Sequence, residues 1–237
     1  MIRPKKPTEW RQTMETPKAH TVGVILSGAG VYDGSEIHEA TLTLLALAQR
    51  GVYYKIFAPD RNQMHVIDHT KGETTEETRN VLLESARIAR GNIEPLSLAN
   101  AHELDGVILP GGFGVAKNLC NYAEKGTDLE VIPELDQFLK TMHQLKKPMG
   151  FICIAPIMLP KIFGAGIRGT LGAKGDDARA FSKMGGDHLE CCVEQCVYDE
   201  TFKVLSTPAY MTAQNIAQAH LGIDRLVQQM SELFAPL

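Results

Sequence analysis

Short apolar runs and longer amphipathic stretches alternate along the chain. Val22-Gly-Val-Ile-Leu-Ser27 is an uninterrupted apolar run, the pattern of a strand buried on both faces of a parallel sheet. Gly28, Gly30 and Gly34 end it. From Ser35 to Arg50 the apolar positions Ile37, Leu44, Leu45 and Leu47 predict a helix, with Ser35 as its cap and Gly51 as its stop. Val52–Ala58 is rich in aromatic and β-branched residues and predicts the next strand. Strand, helix and strand within so short a span form a βαβ unit.

The same rhythm continues. Pro59–Gly72 reads as an excursion with a small hairpin around His65, Val66 and Ile67. Glu76–Arg90 predicts a helix ending at Gly91, and Asp105–Leu109 a buried strand cut by Pro110-Gly111-Gly112. Pro133–Lys146 predicts a helix with proline in its first turn. Met149–Ile152 predicts a strand and Ala155–Phe163 a helix. His188–Val197 and Lys203–Ser206 read as strands, and Thr212–Phe234 as a terminal helix with a break at Gly222. Together these elements predict an α/β fold with a mainly parallel sheet covered on both faces. No linker divides residues 21–237, so one domain is expected.

Composition adds a boundary. The 237 residues are 44% hydrophobic and 22% charged, with a net charge of −4. Residues 1–20 hold Arg3, Lys5, Lys6, Arg11 and Lys18 against Glu9 and Glu15, with three prolines and few apolar residues. This segment reads as a disordered basic tail. A cytoplasmic protein is expected, or a mitochondrial one if the basic segment is a transit peptide. No apolar run is long enough for a membrane span, and the acidic balance argues against nucleic acid. Five cysteines with no secretory signal predict reduced thiols.

Ligands of open parallel sheets gather at the carboxyl ends of the strands. Three segments bring reactive or polar groups there: Ser27–Glu39, Pro110–Asn118 and Gly150–Pro156. The first contains Gly-x-Gly but no third glycine at the dinucleotide spacing, and no P-loop exists. Cys153 lies between an apolar strand and a helical stretch, where a side chain projects from the sheet top as in a nucleophile elbow. The adjacent helix N-terminus predicts a lowered thiol pKa, and with it selective oxidation of this cysteine. Gly111 and Gly112 end a neighbouring strand, where bare backbone N–H groups suit an oxyanion. Glu36 and Glu39 are three apart on the first helix, and either can serve as a base. His188, Cys191, Cys192 and Cys196 have poor chelating spacing, so no metal is expected.

Five segments carry a more specific signal: Ser27–Ala40 (SGAGVYDGSEIHEA is Ser27 to Ala40), Phe57–Asp60, Pro110–Leu119, Cys153–Pro156 and Thr207–Met211. In this order they closely resemble the ElbB family, also called enhancing lycopene biosynthesis or sigma cross-reacting protein. That family belongs to the ThiJ/PfpI superfamily, related to class I glutamine amidotransferases. The resemblance runs from about residue 21 to the end. It implies a flavodoxin-like three-layer sandwich, a homodimer, no cofactor, and Cys153 as nucleophile. It implies Glu39 as the paired acid, twelve positions before Gly51, with Glu36 as fallback. Gly111, Gly112 and the Ile154 N–H match the oxyanion-hole positions, and Glu36 and Asn118 are candidate substrate contacts.

The activity implied is a glutathione-independent glyoxalase of the hydro-lyase type, converting glyoxal or methylglyoxal to the hydroxy acid. The partner is then a small aldehyde. The alternative is a cysteine redox sensor or an accessory protein linked to isoprenoid biosynthesis. One departure bears on chemistry. Ile154 stands where many superfamily hydrolases have histidine, and Ile167–Gly172 offers none. A Cys-His pair for amide cleavage is therefore missing, while Cys–Glu suffices for a reactive aldehyde.

Overall fold

The structure, a computed structural model, describes residues 19–236. Most of the assigned tail, residues 1–18, lies outside the described residues. His20 belongs to the domain: its carbonyl accepts the Tyr53 N–H at 2.9 Å and its ring lies 4.6 Å from that of Phe234.

In chain order the first half comprises β1 (Thr21–Ile25), α1 (Ile37–Gln49), β2 (Tyr53–Ala58), β3 (Ile67–Asp68), β4 (Glu73–Thr74), α2 (Val81–Ile88), β5 (Glu94–Pro95) and β6 (Gly106–Leu109). The second half comprises α3 (Tyr122–Lys125), α4 (Pro133–Gln144), β7 (Met149–Ile152), α5 (Leu159–Phe163), β8 (Arg168–Gly169), α6 (Asp176–Lys183), β9 (Asp187–His188), β10 (Val197–Asp199), β11 (Val204–Thr207) and α7 (Ile216–Glu232).

Seven strands form the central sheet in the order β10-β11-β7-β6-β1-β2-β5. All neighbours are parallel except β10 with β11. The fold is therefore the flavodoxin-like α/β sandwich, with one antiparallel edge strand. β6 and β7 are fully buried, as strands covered on both faces must be. Their hydrophobic residues, with Leu226 and Met230 of α7 and Leu135 and Leu139 of α4, form one continuous core. The sheet order places the carboxyl ends of β1, β6 and β7 side by side, and the three candidate segments leave from there.

Several element boundaries differ from the sequence pattern, each for a local reason. Glu36, not Ser35, caps α1; the Ser35 hydroxyl instead accepts the Ser27 N–H at 2.9 Å. The helix expected from Glu76 starts only at Val81, because Asn62 and Asn80 form a bridge and the Asn80 side chain caps Leu83 N–H. Ala155–Phe163 is a 3₁₀ turn, Ala155–Met158, followed by the short α5. The strand expected over His188–Val197 is split by a turn in which Gln195 N–H donates to the Cys192 carbonyl. α7 runs through Gly222 unbroken; a side chain there would meet the Thr207 hydroxyl at 2.5 Å. It starts after Asn215, whose side chain accepts the Gln218 N–H at 3.0 Å.

Candidate active site

Cys153 follows β7 with φ +62°, in the left-handed region that non-glycine residues rarely occupy. Its N–H donates to the Thr207 carbonyl at 2.9 Å, so the parallel pairing of β7 with β11 extends into the elbow. This sharp bend at the sheet top is the geometry expected of a nucleophile elbow.

Glu39 comes to the same point from the first turn of α1 and is fully buried. Its carboxyl adjoins Cys153: the Cys153 Cβ and Glu39 Oε2 both crowd the position a Gly111 side chain would take, and each of the two groups shifts the other's proton affinity. Oε2 accepts the Gly111 N–H at 2.9 Å and Oε1 the Tyr210 N–H at 3.2 Å. Burial, with a smaller push from the Glu36 charge, raises the Glu39 pKa to about 8, against the opposing hydrogen bonds from Tyr210, Cys153 and Gly111. The acid is thus mostly protonated at neutral pH.

The thiol differs from expectation. Burial first, then the neighbouring Glu39 charge, pushes Cys153 well above the ordinary thiol range. Backbone N–H groups of Gly112 and Ile154 work in the other direction and are outweighed. No helix terminus lowers this thiol, because Cys153 is only 8% exposed and a 3₁₀ turn, not a long helix, follows it. Thiol and carboxyl therefore form a buried pair that sheds its first proton with difficulty.

Of the three expected oxyanion donors, the Gly112 and Ile154 N–H groups are the two that favour the ionised sulfur. Gly111 does not belong with them, because its N–H is bonded to the Glu39 carboxyl. Its missing side chain has another use: a Cβ there would collide with the Cys153 Cβ and lie 2.6 Å from Glu39 Oε2. Gly112 has φ +97°, and a Cβ there would strike the Glu36 backbone nitrogen.

The two candidate substrate contacts part ways. Glu36 is 9% exposed and its Oε2 accepts the Glu39 N–H at 2.7 Å, while its own N–H donates to the Gly111 carbonyl at 2.9 Å. It is the helix cap that holds Glu39, not the partner of the thiol. Asn118 is buried and fully engaged: Nδ2 donates to the Ser27 and Asp33 carbonyls at 2.8 and 2.9 Å, and Oδ1 accepts the Met64 N–H at 3.0 Å. It ties its own loop to the Ser27–Asp33 and Met64 segments, with both amide hydrogens engaged by backbone carbonyls.

The other polar cluster does not converge on one point. His188 Nε2 accepts the Leu171 N–H at 3.1 Å, the Cys196 thiol donates to Gln229 Oε1 at 2.7 Å, and the Cys191 thiol faces the Cys192 carbonyl. A cavity of about 350 Å³ lined by Arg61, Lys117, Cys120 and Glu130 does not reach Cys153. Sequence reasoning missed Tyr210. Its contribution to Glu39 is a backbone N–H, which leaves no trace in residue type; the Thr207–Met211 motif was the one available signal.

No family model matches the chain. It is 44% identical over 227 residues to the "ES1 protein homolog, mitochondrial" of Rattus norvegicus, covering 92% of this chain and 85% of that protein. Identity is also 44%, over 225 residues, to the human "Glutamine amidotransferase-like class 1 domain-containing protein 3, mitochondrial", covering 91% and 84%. A solved structure from Ehrlichia chaffeensis, an isoprenoid biosynthesis protein with amidotransferase-like domain, superposes with a TM-score of 0.85 at 37% identity, covering 91% of this chain and 99% of that one. Drosophila melanogaster DJ-1beta, at 15% identity and a TM-score of 0.50 over 92% of this chain and all of that one, shares the fold alone. With its elbow cysteine and α/β sandwich, this chain belongs to the ElbB/ES1 family of glutamine amidotransferase-like class 1 proteins.

Proposed function

We propose that the chain is a glutathione-independent glyoxalase that converts glyoxal or methylglyoxal to the 2-hydroxy acid. The observation that carries this reading is the buried pairing of Cys153 with Glu39 at the strand elbow, with the carboxyl raised to about 8. A base titrating near the working pH is suited to taking and returning a carbon-bound proton.

The reaction starts from the pair that has lost one proton. Sulfur bonds to the aldehyde carbon while the ionised carboxyl accepts the thiol proton. That proton passes to the former aldehyde oxygen and leaves a hemithioacetal with Glu39 ionised again. Glu39 then takes the hydrogen of the sulfur-bound carbon as a proton; the electron pair forms the C=C bond, and the adjacent carbonyl oxygen, taking up the charge, receives the proton of the neighbouring hydroxyl, which gives an enediolate with its charge on the oxygen of the sulfur-bound carbon. Glu39 returns a proton to the adjacent carbon, which gives a 2-hydroxy thioester. Water cleaves the thioester, releasing the hydroxy acid and restoring the thiol. Net consumption is one water per aldehyde, with no external oxidant or reductant. The Gly112 and Ile154 N–H groups adjoin the sulfur and so flank the carbon where oxyanion charge develops.

Amide hydrolysis fits less well despite the relatives' name. No hydrogen bond from histidine reaches Cys153 or Glu39 among the described residues. A second reading, a redox-sensing cysteine, draws on the same pair, since a protonated Glu39 can donate to an oxidised sulfur. The rat and human relatives carry mitochondrial names, and the basic residues 1–20 favour a mitochondrial over a cytoplasmic address for this chain.

The test is consumption of glyoxal and methylglyoxal without glutathione, with the acid identified as product. Wild type is expected to form glycolate and lactate, and Cys153→Ala and Glu39→Gln to lose this activity. Acid formation by Cys153→Ala at the wild-type rate overturns the reading.

A further inference from the structure

Glu39 is held from two sides, and the two holds differ in how firmly they are anchored. Gly111, on the Oε2 side, lies two residues after β6, and its carbonyl is tied to the Glu36 N–H at 2.9 Å. Tyr210, on the Oε1 side, sits in the 3₁₀ turn Ala209–Met211 that follows β11. Its N–H bond to the carboxyl, at 3.2 Å, is the longer of the two.

Three features fix that turn. Ala209 is fully buried with φ +39°, a left-handed conformation that a free alanine avoids. Ala213 and Thr212 both donate to its carbonyl, at 2.8 and 3.1 Å. At the outer end, the Tyr210 hydroxyl lies 2.8 Å from His38 Nδ1, with ring centroids 5.8 Å apart. His38 directly precedes Glu39 on α1 and faces outward, whereas Glu39 faces in. Tyr210 therefore spans the site with both ends of one residue. Its backbone holds the acid, and its phenol grips the helix that presents the acid.

We propose that the His38–Tyr210 hydrogen bond is a latch, and that Tyr210 is a positioning residue which keeps its N–H on Glu39 and so sets the proton affinity of the Cys153–Glu39 pair. Without the latch, the turn that aims the N–H loses the Tyr210 side-chain hydrogen bond to α1, and the longer of the two carboxyl bonds is the one released. An N–H bond to a carboxyl favours its ionised form, so the acid then holds its proton to higher pH. The titratable groups that act on Glu39 are Glu36 from the start of α1 and Cys153 after β7; the Tyr210 phenol and His38 lie at the outer end of the latch. Removing the phenol oxygen deletes the Tyr210 hydroxyl and its bond to His38 and leaves Glu36 and Cys153 in place. Tyr210 stays protonated as a donor, because burial and the charges of Glu36 and Glu39 raise its pKa.

The role goes beyond the aldehyde chemistry and is read without it. In the full-length protein, the rate of Cys153 alkylation by iodoacetamide is followed against pH by peptide mass mapping. The midpoint of this profile reports the pair. Tyr210→Phe keeps the backbone N–H and deletes only the latch. Its midpoint should move upward by roughly half a unit to one unit, the size of a partly lost hydrogen bond to an ionised group. His38→Leu should shift it equally, and the double variant no further than either single change. His38→Asn places an amide near the Nδ1 position and should restore most of the wild-type profile. Unchanged midpoints in Tyr210→Phe and His38→Leu, or shifts that add in the double variant, overturn the latch. A protein that alkylates as described but forms no acid from glyoxal keeps the latch and loses the glyoxalase reading.

Discussion

The Gly111 N–H points at Glu39 Oε2, 2.9 Å away, and not at the space where substrate oxygen would sit. A backbone donor two residues after β6 thus orients the acid, and the acid adjoins Cys153. Gly111 also has to be glycine, because the Cys153 Cβ and the carboxyl occupy the volume of any side chain. Gly111→Ala should therefore push the pair apart. The expected outcome is a loss of about 1–3 kcal/mol in urea unfolding, the cost of overpacking, together with a fall in kcat much larger than any change in KM. Unaltered kcat in a stably folded Gly111→Ala protein counts against this arrangement.

Glu39→Gln separates chemistry from stability. The amide cannot carry a proton between carbons, so turnover should fall by roughly 10²–10⁴-fold. Stability should change in the opposite sense at alkaline pH. Glu39 titrates at about 8 in the fold against an ordinary carboxylate value of 4.5. Between those values the unfolded chain has released a proton that the native chain still holds, so unfolding grows easier as pH rises. The contribution is fully present below 4.5 and is lost as pH approaches 8. Wild type should lose on the order of a few kcal/mol across that window relative to Glu39→Gln. Urea midpoints measured at several pH values check it, and parallel curves for the two proteins contradict it.

Much of this geometry was legible in the chain. The apolar runs over Val22–Ser27, Asp105–Leu109 and Met149–Ile152 mark strands buried on both faces, and burial of that kind writes itself into composition. Cys153 was legible because a reactive side chain stood between such a run and a helical stretch. Legibility stopped where the backbone acts. Gly111 as a donor to Glu39, Glu36 as a cap and Tyr210 as a second donor all work through N–H groups or local caps that any residue type can supply. The lowered thiol pKa was expected from a helix terminus, and depth of burial, which periodicity does not report, reversed it. Asn118 was placed near the site by its segment, and only the closeness of the Ser27, Asp33 and Met64 backbones shows that its amide is already engaged.

Asn118→Ala should accordingly behave as a structural substitution. The amide makes three hydrogen bonds to backbone groups of two separate segments in a buried setting. Its removal leaves those groups without partners and should cost about 2–4 kcal/mol. KM for the aldehyde should stay near the wild-type value at temperatures where the variant is folded. A rise in KM with unchanged stability returns Asn118 to the substrate site.

The order in which the thiols oxidise follows from burial and bonding, not from chain position. Cys120 is buried, its thiol is pushed up to about 12, and it donates to the Val115 carbonyl. Cys191 and Cys196 are pushed up to about 11 and about 12, mainly by burial. Cys153 is buried and raised as well, while Cys192 is exposed. Peroxide reacts with thiolate that it can reach. Limited peroxide at neutral pH should therefore modify Cys192 first and leave turnover intact. Turnover should disappear only as Cys153 is modified, and faster as pH rises through the range in which Glu39 ionises and the pair loses its first proton. Peptide mass mapping alongside acid formation follows both events. Early modification of Cys153 at neutral pH, with Cys192 still reduced, would show that its sulfur is more open and more ionised than its burial allows, and would favour the redox-sensing reading of the site.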